Sequence, residues 1–288
     1  MIRYLLPGFT AHLKFNLIIA GMKKTTPELF YDDITFDSMY GNFPGCIMNG
    51  GRRTIGERYT YDQIADTFDR IENEGLGICL TFTNTLVKPE HFEDEYSNTI
   101  LRAAQGRNAR AIVYSDELGD YISGRYHLKL VLSTSRPLKD ADELNAMLDR
   151  YDMVVLGYNH NKDDEFLKQI RDPARLEVMP NELCRPNCPT RQIHYECESY
   201  SQMNSIQPFF FCPQKCASSG FTMQTDSSPH LLSNSDIRRL NTVYGISYFK
   251  IVGRLLAKGL LMESYAYYFA KSEYRSVLMK IMKSKIDQ

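Results

Sequence analysis

The residues with the clearest chemical potential are the cysteines. Five of the seven fall between Cys184 and Cys216. They form two CxxxC pairs, Cys184-Arg-Pro-Asn-Cys188 and Cys212-Pro-Gln-Lys-Cys216, with Cys197 between them. Prolines follow Cys188 and Cys212, stiffening the turns that would aim the thiolates. Soft thiolate donors from two turns suit tetrahedral zinc or an iron–sulfur cube. The three-residue gap opens a wider bite than the CxxC of zinc ribbons, which favours an iron–sulfur cluster of the 4Fe-4S type and leaves zinc as the alternative. Cys184, Cys188, Cys212 and Cys216 are the expected ligands, with Cys197 able to substitute, most readily for Cys188. Cys79 lies in an apolar run and reads as a small buried hydrophobe. Cys46 reads as a surface or pocket thiol.

Glu182 adjoins the first expected ligand and is the favoured acid or base. His194 follows ten residues after Cys184, and either shares that pocket or packs beneath it. Arg52 and Arg254 could each grip a carboxylate or phosphate with two N–H groups. Several fingerprints are missing: there is no GxGxxG after an early strand, no GxSxG and no HExxH. The sequence therefore offers neither a dinucleotide fold, nor a serine-hydrolase elbow, nor a zinc-protease helix.

These residues need a scaffold, and the chain is long enough to supply one. It has 288 residues, 43% hydrophobic and 24% charged. Such values exclude a disordered chain or a disulfide miniprotein. The 34 Lys and Arg against 35 Asp and Glu argue against a uniformly basic nucleic-acid coat. The apolar run at Ile18, Ile19 and Ala20 is too short for a membrane span and lacks a signal-peptide layout, so the expected setting is the reducing cytoplasm.

Eight short apolar runs recur along the chain: Asn16 to Gly21, Ile34 to Met39, Gly77 to Thr83, Arg110 to Ser115, Lys129 to Ser133, Met153 to Tyr158, Arg175 to Met179 and Tyr248 to Val252. Amphipathic stretches such as Tyr61 to Glu74, Ala141 to Arg150 and Asp163 to Ile170 lie between them. Strands alternating with helices predict a single TIM-like (β/α)8 barrel over residues 1–288, irregular between the fourth and fifth runs. A Cys-rich metal or cluster insertion is expected over 180–247, and C-terminal helices over 255–288. In such a barrel the site lies just after the strands. The polar residues there are Asn49, Arg52, Thr83, Asn84, Ser115, Asp116, Ser133, Ser135, Tyr158, Asn159, Asn181, Glu182 and Arg254. Asp94 and Asn98, four apart on an expected helix, share one face.

Several segments resemble the collagenase-like, U-type peptidase family. They are Leu176-Glu177-Val178 leading to Leu183-Cys184, the CxxxC at Cys212 and Cys216, the strand Phe249-Lys250-Ile251-Val252-Gly253-Arg254, and Tyr274-Arg275 in the helix that follows. The resemblance covers roughly the C-terminal 110 residues. Val252 stands where that family commonly has glutamate, and Asn181-Glu182 replaces its usual histidine–glycine pair, as in a divergent branch. The family includes oxygen-independent iron–sulfur hydroxylases. The resemblance therefore implies hydroxylation, or a related modification, of RNA or a small-molecule substrate, with an electron donor that the sequence leaves unnamed. Other readings are a zinc-stabilised, non-catalytic binding module, a collagenase-like peptidase, and a sugar- or nucleotide-acting barrel in which the cysteines are incidental.

Overall fold

Alternation in the segment Ile2–Pro7 builds the first strand, β1: Ile2, Tyr4 and Leu6 pack outward under the helices, while Leu5 points into the barrel. In the computed structural model, which describes residues 1–54, 56–207, 210–212, 230–254 and 256–287, seven further strands follow. They are β2 (Ile34–Gly41), β3 (Gly77–Phe82), β4 (Ala109–Val113), β5 (Lys129–Leu132), β6 (Met153–Val155), β7 (Leu176–Val178) and β8 (Tyr248–Lys250). All pair in parallel and in chain order, and β8 returns to β1 to close the barrel. The expected TIM-like fold is the observed one.

One expected strand is not a strand. Asn16 to Gly21 lies inside helix α1 (Leu13–Thr25), whose buried Phe15, Ile19 and Met22 recur at helical spacing. The true first strand ends at Pro7 and Gly8, where a φ of +70° turns the chain toward α1. The expected irregularity between the fourth and fifth strands is also absent. Helix α4 (Asp116–Tyr126) fills that connection, capped by Ser115, whose hydroxyl accepts from the Leu118 N–H. The irregularity sits instead in β2, where the pairing slips between Tyr4 and Leu5 and leaves Asp37 as the extra residue of a bulge.

Further helices ring the barrel: α2 (Tyr61–Asn73), α3 (Glu95–Ala104), α5 (Ala141–Arg150) and the single turn α6 (Asp164–Leu167). Among the described residues, two lie between β7 and β8. Helix α7 (Arg191–Asn204) crosses the barrel mouth, and α8 (Asn234–Tyr244) leads into β8. The chain finishes with α9 (Lys258–Phe269) and α10 (Arg275–Asp287), which pack against each other and, through α10, against α1. No helix among the described residues is long and apolar enough to cross a membrane.

The barrel interior is not purely apolar. Leu5, Cys79, Ile112, Val131 and Met153 share it with Asp37, Arg110, Glu177 and Lys250. Arg110 pairs with the bulged Asp37 and donates from Nε to the Cys79 sulfur at 3.0 Å. Lys250 Nζ lies 3.8 Å from Glu177 Oε2. Each of these charges sits at an inward position of its strand, so the barrel encloses two cations and two anions.

Beyond the last ladder bonds, the buried Asn181 joins the ends of β7 and β8. Its side chain donates to the Val252 carbonyl at 3.0 Å and accepts from the Val252 N–H at 2.7 Å. Asn181→Leu is expected to strand both backbone groups and lower stability by about 2 kcal/mol. A urea midpoint equal to that of the parent protein would contradict this role.

Candidate functional site

Parallel strands present all their C-terminal ends at one rim, and there a cavity of about 350 Å³ opens. Tyr40, Thr81, Thr83, Ser133, Ser135 and Met179 line it from the strands and the loops that follow them. Lys250, Val252 and Arg254 contribute the β8 wall, and α7 covers the opening with Arg191, His194 and Tyr195. Polar side chains hold this cover in place. Gln202 Nε2 donates to the Cys46 carbonyl at 2.9 Å, its Oε1 accepts from the Thr54 N–H at 2.6 Å, and Ser199 Oγ accepts from the Thr85 N–H at 3.0 Å.

Arg254 is the most deeply committed cation in the wall. Its Nη1 donates to Thr81 Oγ1 at 2.9 Å and Asn49 Oδ1 at 3.2 Å, and Nη2 donates to the Gly50 carbonyl at 2.8 Å. All three acceptors are neutral. Burial, reinforced by the nearby Arg52, pushes Arg254 down to about 10, so it is still a cation at neutral pH. Arg52 also lines the cavity, and its Nη1 donates to the carbonyl of the adjacent Gly51 at 2.7 Å. No carboxylate among the described residues forms an ion pair with either guanidinium. Gly50 makes the arrangement possible, because a Cβ there would stand 2.2 Å from the Thr83 carbonyl oxygen.

Across the cavity, Glu182 accepts from Arg191 Nη2 at 3.1 Å and from the Cys184 N–H at 3.0 Å. Burial alone would raise its carboxyl, but Arg191, Arg52 and the Cys184 N–H outweigh it and hold the group below the usual carboxylate range. Arg191 also lies over the rings of Tyr158 at 4.5 Å and Tyr195 at 5.0 Å.

Cys184 and Cys212 line this same cavity, and Cys188 hydrogen-bonds Cys184. Burial pushes the Cys184 thiol up to about 11, whereas bonds from Thr190 and Cys184 outweigh burial at Cys188 and draw it below its ordinary value. Soft donors gathered on one flank of the mouth fit a thiolate-bound metal in type. Cys216 lies outside the described residues, and among the described ones no three His, Cys, Asp or Glu converge as metal ligands must. Cys197 is on α7 and does not line the cavity.

The remaining expected positions divide. Arg52, Thr83, Ser133, Ser135, Glu182, His194 and Arg254 face the cavity. His194 stacks on Phe210 at 4.7 Å and lies 3.7 Å from Glu198. Asn49 stands behind Arg254 as an acceptor. Asn84 donates to the Ile47 and Ser199 carbonyls, and Tyr158 to the Arg185 carbonyl. Asn159 receives the Asn187 N–H. Asp94 caps α3, and Asn98 is buried among Phe92, Tyr121 and Tyr126, so that pair is structural. Cys46 is buried against Ser97 and does not line the cavity. Sequence reasoning missed Lys250, Arg191, Tyr195 and Tyr40. For Lys250 the signal was present: a cation two residues from Tyr248, at the inward parity of a strand.

Two solved structures align with the chain, and the first agrees with the barrel. The chain resembles the U32 peptidase Mk0906 at 15% identity, over 87% of this chain and 92% of that one, with a TM-score of 0.54. A GH113 β-1,4-mannanase aligns over 100% of this chain and 98% of its own at 10% identity, with a TM-score of 0.46. No family model and no curated protein sequence matches the chain. The likeness to the U32 peptidase establishes shared fold.

Asp116 illustrates a strand-end residue with a structural task. It accepts from Arg136 at 2.7 Å and Tyr151 at 2.5 Å, and these bonds outweigh burial to hold its carboxyl below the usual range. A depressed carboxyl contributes stability above its unfolded value, near pH 3.9, and loses it as pH falls through the folded value. Asp116→Asn is therefore expected to lower stability at pH 7 and to flatten its fall below about pH 4. Parallel acid-stability curves for variant and parent would refute this.

Proposed function

We propose that this protein is a barrel enzyme that binds an anionic substrate at its mouth and holds an iron–sulfur cluster beside it. The reaction class is oxygen-independent hydroxylation, or a related modification, of RNA or a small metabolite. One observation carries the reading: two guanidiniums that form no ion pair among the described residues and two cluster-type cysteines open onto a single cavity.

Cys184, Cys188, Cys212 and Cys216 would hold the cluster, with Cys197 as the substitute. Such a cluster supplies one-electron transfer when bound. The chain's own residues supply the rest. Arg254, fixed by Thr81, Asn49 and Gly50, and Arg52 present donors to a phosphate or carboxylate. Their fixed geometry means the substrate's charge meets dipoles and cations already in place. Glu182, held ionised by Arg191, can accept a proton in the same space, and α7 restricts water from above. A cavity of this size takes one small molecule or one nucleotide unit, not a folded polypeptide.

Metal analysis after purification under nitrogen tests the proposal. The expected result is a brown protein with about four irons per chain, and loss of that iron in Cys184→Ala and Cys212→Ala. Stoichiometric zinc without iron would overturn it in favour of a zinc-stabilised module.

A further inference from the structure

Lys250 is not needed by the reading above, yet it occupies the cavity wall at the end of β8. Its side chain is 9% exposed, and the amine makes no hydrogen bond among the described residues. The nearest anion, Glu177, stands 3.8 Å away, too far for a hydrogen bond. Both Glu177 carboxylate oxygens are buried without a hydrogen-bond partner among the described residues. A buried amine and a buried carboxylate thus face each other unsatisfied, directly beneath a cavity whose other cations call for an anion. Unpaired buried polar groups are costly, and their persistence in a cavity marks a place to look for function.

We infer that Lys250 is a nucleophile that condenses with the carbonyl carbon of an anionic aldehyde or ketone held by Arg52 and Arg254. The amine nitrogen forms a bond to that carbon as the C=O pair moves onto oxygen. Glu177 carries one N–H proton to that oxygen to give the carbinolamine, then carries the second, and the oxygen departs as water. The sum is amine plus carbonyl giving imine plus water, with no oxidant or reductant. The surroundings disfavour the charged amine. Burial lowers the amine's proton affinity most, Arg254 and Arg110 act in the same direction, and Glu177 and Cys79 oppose them without reversing the outcome. The Tyr40 ring, 4.5 Å away, is the remaining group facing the amine and favours its charged form.

This inference rests on the anion reading of the two arginines and not on the cysteines. The probe is glyoxylate with cyanoborohydride at pH 7, followed by peptide mass spectrometry of the full chain. Lys250 should gain a carboxymethyl group several-fold faster than the exposed Lys168, because the arginines hold glyoxylate beside its amine. Inorganic phosphate should protect it. Labelling of Lys250 no faster than of Lys168, or labelling indifferent to phosphate, would overturn the inference. If calorimetry shows phosphate binding while Lys250 stays unlabelled, the nucleophile role falls and the anion site stands.

Discussion

A half-buried guanidinium whose hydrogen-bond acceptors among the described residues are all neutral is the constraint around which the barrel mouth is arranged. Removing a cation from water is costly unless something polar replaces its hydration. For Arg254 the replacement is distributed over three groups: the Thr81 hydroxyl on β3, and the Asn49 amide oxygen and Gly50 carbonyl of one loop. Each partner is itself held. Thr81 Oγ1 also donates to Asn49 Oδ1 at 2.8 Å, and Asn49 Nδ2 donates to the Arg52 carbonyl at 3.0 Å. Gly50 and the positive φ of Gly51 bring the loop close enough to β3 for these contacts to exist. The cover helix α7 then locks that loop through Gln202 and through Glu198, which accepts the Arg53 N–H at 3.1 Å.

The charges inside the barrel extend the same logic downward. Arg110 and Asp37 form a close pair whose guanidinium is further satisfied by Cys79 and Ser38. Lys250 and Glu177 lack such satisfaction, although they occupy equivalent inward positions. The difference separates a charge pair that completes the core from one that faces a cavity. It also explains why Cys79, expected to behave as a plain hydrophobe, is a polar neighbour of Arg110.

The barrel was legible because apolar β-branched runs such as Ala109–Val113 and Lys129–Leu132 stand out from the polar helices around them. The first strand was not, because Phe15, Asn16 and Ile19 in α1 mix with Ile18 in a short window that both periods can fit. Arg52, Arg254, Glu182 and the two cavity cysteines were legible from residue type and from position after a strand. Helix α7 was not. Its buried face carries Glu198, Ser199 and Gln202, which bond loop backbones where an ordinary helix would bury leucines, so hydrophobic periodicity has little to detect. Arg191 and Tyr195 were missed with it.

The central claim is that the mouth of the barrel is a prepared anion site. Calorimetric titration with inorganic phosphate, comparing the parent protein with a folded Arg254→Gln variant at two salt concentrations, tests it most directly. The account predicts salt-sensitive binding that weakens by about tenfold or more in the variant, the effect of losing one charge-assisted contact. Equal affinity in the two proteins, or no binding to either, would contradict it.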